Sequence, residues 1–108
     1  IAARGSMRCF VGETNQIEIG ERTNVQDGAI IHVDTCRPYL ISSSVTIGHA
    51  SEVHRAVVDD DVLIGIGAKI LSGARIGREC ILGAGTLITG RTVLLPMSLV
   101  IGLPGRLV

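Results

Sequence analysis

Aromatic residues are nearly missing: the chain of 108 residues has one Phe, one Tyr and no Trp. A core of ordinary globular type leans on aromatics for buried area, so an aromatic-centred sandwich and a base-stacking platform are both excluded. No charge of either sign is in excess, with 10 Lys and Arg against 10 Asp and Glu. A surface that neutralises phosphates would carry a basic excess, so nucleic acid is not an expected partner. Long apolar runs are absent too. The best stretch, Val62–Leu71, is cut by Gly65, Gly67 and Lys69, well short of the roughly 18 residues of a spanning helix. No apolar h-region follows the first arginines, so neither a membrane nor a secretory address is expected. Cysteine is sparse and odd in number: Cys9, Cys36 and Cys80 fit neither a disulfide framework nor a zinc-knuckle spacing. Reduced thiols in a cytoplasmic setting are the expectation. Residues 1–6, ending in Ala-Arg-Gly-Ser before Met7, read as a cloning remnant; residues 7–108 are expected to form a single domain.

What the chain does have is aliphatic residues and glycine. Ile, Leu and Val together supply 35 residues and Gly another 14. Stepping by six from Val58 gives Ile64, Ile70, Ile76, Leu82, Ile88, Leu94 and Val100, all aliphatic. At a 46% apolar background, eight such positions in a row arise by chance about 0.002 of the time. Ile19, Val25 and Ile31 share the period, as do Ile41, Ile47 and Val53. A six-residue step forms no helix face and is too short for hairpins. It fits a short strand followed by a tight corner. Three such units close a triangular coil, and stacked coils bury an aliphatic column, which is the hexapeptide form of the parallel β-helix. Glycines and small residues are expected where the corners need tight or left-handed backbone.

Two breaks in the period set the phase. Ten residues separate Ile31 from Ile41, so four extra residues fall within Val33–Leu40; five separate Val53 from Val58, so one corner is short. Ile31 then lies on face A, Ile41 on B, Ile47 on C and Val53 on A again. From about Glu13 to Val108 the chain reads as one solenoid of roughly five triangular coils.

All three histidines, His32, His49 and His54, fall within 23 residues. A single exposed histidine is usually only a surface residue, but this clustering points to metal. His32 follows Ile31 and His54 follows Val53, so the two are equivalent positions on face A, about 4.8 Å apart. Imidazoles so placed can converge on one ion. His49 follows Ile47 by two, on face C, and five extended residues put it about 16 Å from His54 along the chain. It can join the ion only if a second copy presents its face C to this face A. Cyclic repetition of that contact closes as a trimer. Three histidine ligands leave one position open for water, as in catalytic zinc.

The segment Thr23-Asn24-Val25-Gln26-Asp27-Gly28-Ala29-Ile30-Ile31-His32, with Val45-Thr46-Ile47-Gly48-His49 and Val53-His54, resembles the γ-class carbonic anhydrase-like family. Leu63-Ile64-Gly65-Ile66-Gly67-Ala68 and the ending Gly102-Leu103-Pro104-Gly105 share the likeness, which spans nearly all of Thr14–Val108. The resemblance implies a left-handed parallel β-helix and a homotrimer with metal sites at the subunit interfaces. It implies zinc, or alternatively iron or cobalt, held by His32 and His54 of one chain and His49 of the next. The implied reaction is reversible hydration of carbon dioxide to bicarbonate by metal-bound hydroxide, a zinc-dependent lyase acting on a small molecule. By the same match Gln26 orients the hydroxide or substrate, Asp27 joins the polar network beside it and Asn24 supports it. Asn, Asp and Gly at these positions also suit a plain corner.

The chain departs from the family pattern at one informative place. Where relatives carry Arg-Gly-Asp before the first coil, this sequence reads Val11-Gly12-Glu13. Glu13 keeps a carboxylate there; Val11 cannot replace a guanidinium. Relatives also continue into a C-terminal helix, so both ends of the prism are expected to lack caps, and activity is expected to be weak or lost. Two other functions fit a hexapeptide solenoid. One is a coenzyme A-dependent acyltransferase with a single histidine base. The other is a non-catalytic structural trimer.

Overall fold

The computed structural model describes residues 7–11, 15–32 and 39–108, with side chains for 18–31 and 40–108. Residues 1–6 and Glu13 lie outside it. Every regular element described is a strand. Face B carries β2 (Asn15–Ile19), β5 (Tyr39–Ile41), β8 (Val57–Val58), β11 (Arg75–Ile76) and β14 (Val93–Leu94). Face C carries β3 (Asn24–Val25), β6 (Thr46–Ile47), β9 (Leu63–Ile64), β12 (Ile81–Leu82) and β15 (Leu99–Ile101). Face A carries β4 (Ile30–His32), β7 (Glu52–His54), β10 (Lys69–Ile70) and β13 (Leu87–Ile88). Neighbours on each face pair in parallel, one coil apart. The result is the left-handed parallel β-helix of hexapeptide repeats, with four full turns and two faces of a fifth. No helix among the described residues is long and apolar enough to cross a membrane.

Each repeat sends two side chains inward. The first is small and the second, two residues on, is aliphatic: Ala56 and Val58, Val62 and Ile64, Ala68 and Ile70, Cys80 and Leu82. The alternation follows from the strand period of two, and the small member leaves room for the corner. Ile47, Ile64, Leu82 and Val100 form the column under face C, while Val53, Ile70 and Ile88 form that under face A. Successive coils are tied by amides donating to the next coil's carbonyls, as from Leu63 to Cys80 (3.0 Å) and from Ile81 to Ser98 (2.9 Å). Among the described residues three polar side chains are buried, and each is satisfied. Ser51 Oγ donates to the Gly65 carbonyl (2.9 Å), Thr23 Oγ1 to that of Ser42 (2.6 Å) and Thr86 Oγ1 to that of Val100 (3.4 Å).

Because Ile70 is fully buried in a column only a few side chains thick, Ile70→Ala is expected to cost about 2–5 kcal/mol. Ile66→Ala, at an exposed corner, should stay within about 0.5 kcal/mol of the parent. Urea unfolding of both variants checks this, and equal losses would mean that the columns do not carry the fold.

Corners stack as the strands do, and most place one residue in left-handed backbone. Arg22, Ser44, Asp61, Glu79 and Met97 occupy this position between faces B and C, with φ from 57° to 60°. Gly28, Ala50, Gly67 and Gly85 occupy it between C and A, and Arg55, Gly73 and Arg91 between A and B. The glycines that directly follow an inward aliphatic have a different task. A Cβ on Gly65 would lie 2.6 Å from Ala84 N and 2.7 Å from Leu82 O, so close approach of two backbones, not left-handed φ, demands glycine there.

The ends differ from expectation. At the first coil, β1 (Met7–Val11) runs antiparallel along β2, and at the last, β16 (Arg106–Leu107) runs antiparallel along β15. The edge of β13 is covered as well, since Leu87 N donates to Gly102 O and Gly105 N to Leu87 O. The chain folds back on itself at both ends, giving exposed strand edges partners without a further coil.

Candidate metal centre

The geometry begins with strand register. β4 and β7 lie side by side on face A, with His32 directly opposite His54. The longer step after β4 does not disturb the stack: the extra residues expected within Val33–Leu40 fall largely outside the described residues, and the inward column resumes in phase at Ile41. Val53 is fully buried, so the residues on either side of it, Glu52 and His54, both turn outward, each about one-third exposed. His54 Nε2 lies 3.7 Å from Glu52 Oε2.

His49 occupies a different edge of the prism. It follows β6 in the corner between faces C and A, is exposed, and its carbonyl accepts from Gly67 N (2.8 Å). The motif Gln26-Asp27-Gly28 forms the equivalent corner one coil earlier: Gly28 stacks against Ala50, and the Asp27 carbonyl accepts from Ala50 N (3.0 Å). Asp27 therefore precedes His49 in the same corner stack. Gln26 is half-buried, its backbone N–H donating to Ile47 O (3.0 Å), while Asn24 is exposed at the start of β3, paired with Thr46. Val11 ends β1, opposite Asn15.

The site residues expected from the sequence thus fall into two separate groups within one chain. His32 and His54 stand at the A–B edge, and Asn24, Gln26, Asp27 and His49 at the C–A edge and the strand leading to it. Among the described side chains, no three His, Cys, Asp or Glu gather closely enough to hold an ion. The donor chemistry still suits zinc, since imidazole is a borderline ligand and His32 and His54 occupy paired registers on adjacent strands. Glu52 is the site neighbour that sequence reading passed over. The signal was present in Glu-Val-His, where strand alternation puts the first and third residues on one face.

A model of the bacterial transferase hexapeptide family (six repeats) matches residues 55–90. A probable carbonic anhydrase of Methanocaldococcus jannaschii is 42% identical over 97 residues, covering 90% of this chain and 61% of that protein. The mitochondrial gamma carbonic anhydrase 2 of Arabidopsis thaliana is 34% identical over 87 residues, covering 75% of this chain. The chain belongs to the γ-carbonic anhydrase-like family of hexapeptide-repeat proteins. It spans 31% of the length of the Arabidopsis member and 61% of that of the archaeal one. Family membership agrees with a solved structure, a Bacillus cereus protein described as a candidate acetyltransferase. That protein superposes with a TM-score of 0.85 at 35% identity, over 90% of this chain and 56% of its own. The hexapeptide scaffold is thus shared by carbonic anhydrase and acyltransferase relatives.

Proposed function

We propose that this chain is a metal-binding homotrimer that hydrates carbon dioxide reversibly to bicarbonate, with low turnover. The observation that carries the reading is the in-register pair His32 and His54 on face A, with His49 displayed at the opposite edge of that face. His32 and His54 of one copy and His49 of the next form the ligand set for zinc, with iron or cobalt as alternatives. When bound, zinc acidifies a water towards neutral pH and so supplies hydroxide as the nucleophile. The side chains do the positioning. Gln26 orients the substrate through its amide, Asp27 accepts hydrogen bonds in the polar surround, and Asn24 supports Gln26. Glu13 supplies a further carboxylate near the interface. The odd cysteine count and the free Cys80 thiol support a reducing compartment such as the cytoplasm as the setting.

Face C supports self-association. Leu63 (44% exposed), Ile81 (46%) and Leu99 (40%) line up in register along its outer surface. A flat apolar row of that kind is costly in water and suits a second copy of the same prism. His49 stands at the edge of this face, so the contact that covers the row also delivers the third ligand.

Val11 sets the level of activity. Without a guanidinium at that position, Glu13 has no bidentate partner and substrate positioning suffers, while metal binding, which needs only the histidines, survives. The purified protein is expected to be a trimer with about one ion per chain and turnover far below the order of 10⁶ s⁻¹ that zinc hydroxide reaches. Val11→Arg, with Glu13→Asp as companion change, should raise hydration by about tenfold or more. Stopped-flow assay decides, and an unmodified protein near the upper scale would overturn the assignment to Val11. A coenzyme A-dependent acyltransferase is the second reading, favoured by the description of the Bacillus cereus structure. Metal-free protein that transfers acetyl groups from acetyl coenzyme A would establish that reading in place of the first.

A further inference from the structure

Glu52 and His54 are neighbours on the outer row of β7, with Val53 buried between them. Across the ladder Glu52 faces Ile30 on one side and Lys69 on the other. Lys69 is the obvious charge partner, yet among the described residues Glu52 pairs with His54 instead, at 3.7 Å from Oε2 to Nε2. The carboxylate thus leans along its own strand towards the imidazole. That separation has a chemical meaning. Two ligands on a tetrahedral zinc ion, each bonded at about 2.1 Å, stand about 3.4 Å from one another. The Glu52 oxygen and the His54 nitrogen are within a few tenths of an ångström of that edge, and small torsional adjustments close the difference.

We propose that Glu52 is itself a ligand to the ion held by His54, completing four protein ligands with His32 and the partner copy's histidine. The inference rests on the metal reading above and changes its consequence. Four protein ligands make the closed sphere of structural zinc, whereas three leave the open position that catalysis uses. Substrate water must then displace the carboxylate. The site gains retention of its ion and gives up turnover, independently of Val11.

The test uses the purified chain with Zn(II) alone in competition with a chelator, and the Co(II)-loaded protein in visible absorption. Glu52→Ala and Glu52→Gln sit on a partly exposed outer row, and circular dichroism confirms that each remains folded. Loss of the carboxylate should weaken Zn(II) binding by about tenfold or more, and should change the Co(II) band positions and intensity as water replaces a protein ligand. If the variants bind Zn(II) as tightly as the parent and their Co(II) spectra superimpose on it, Glu52 is only a surface partner of His54 and the proposal is overturned, with the metal reading intact. If the unmodified chain takes up no metal, the metal reading fails and the proposal fails with it.

Discussion

His49→Ala is expected to strip the protein of metal and of its trimer together. Removing one of three histidine ligands should lower Zn(II) affinity by more than the roughly 100-fold that loss of a mere supporting partner can cost. In the proposed arrangement each ion ties two copies, so by linkage the same change weakens subunit association. The fold itself should be untouched. His49 is exposed, and its contribution to the coil is a backbone carbonyl that alanine supplies equally well. Metal-free parent and variant should therefore melt within about 0.5 kcal/mol of each other. Sedimentation velocity with metal analysis is the measurement. A parent that is monomeric yet fully loaded would end the intersubunit argument, and so would a variant that keeps both its ion and its trimer.

Gly65→Ala should be the most damaging small change in the described solenoid. The added methyl would lie 2.6 Å from Ala84 N, 2.7 Å from Leu82 O and 2.8 Å from Gly83 C, all backbone atoms of the next coil. None of these can swing away as a side-chain end would. The coils must part locally, at the place where Gly65 N donates to Leu82 O (2.8 Å) and Ser51 Oγ to Gly65 O (2.9 Å). A loss of about 3 kcal/mol is expected from overpacking and a broken ladder. Gly67→Ala, two residues on, is the natural comparison. Nothing lies within 4 Å of its added methyl, but its φ of +69° is left-handed, so the expected loss is about 1 kcal/mol. Chemical denaturation of the pair separates the two requirements, and equal losses would show that close approach is not what Gly65 provides.

The solenoid was legible in the sequence because one inward aliphatic per six residues leaves a mark that no other architecture leaves. Face assignment followed from counting alone, and the equivalence of His32 and His54 is an observed strand pair. The glycines were legible only as a class. Composition cannot distinguish Gly67, needed for its φ, from Gly65, needed because another backbone passes close by. The end closures were hidden for a different reason. β1 and β16 run antiparallel, outside the six-residue period, so nothing in the repeat announces them. Glu52 was overlooked because a carboxylate on an outer strand position ordinarily means solvation, and only its distance from His54 gives it another role. The two groups of site residues lie at different edges of one prism, and periodicity within a single chain carries no information on contacts between copies.

The two irregular steps in the repeat have a common address. Ile31 to Ile41 is long and Val53 to Val58 is short, while the steps at the B–C and C–A edges keep to six. Both exceptions lie on the A–B edge, one directly after His32 and the other directly after His54, where Arg55 takes up φ +33°. The buried columns pass through both without losing phase. Chain length on this edge is therefore mechanically decoupled from the stack: residues can be gained or lost beside the histidines while the scaffold keeps its pitch. A prism that is rigid along two edges and editable along the third can vary what surrounds His32 and His54 without moving the strands that carry them.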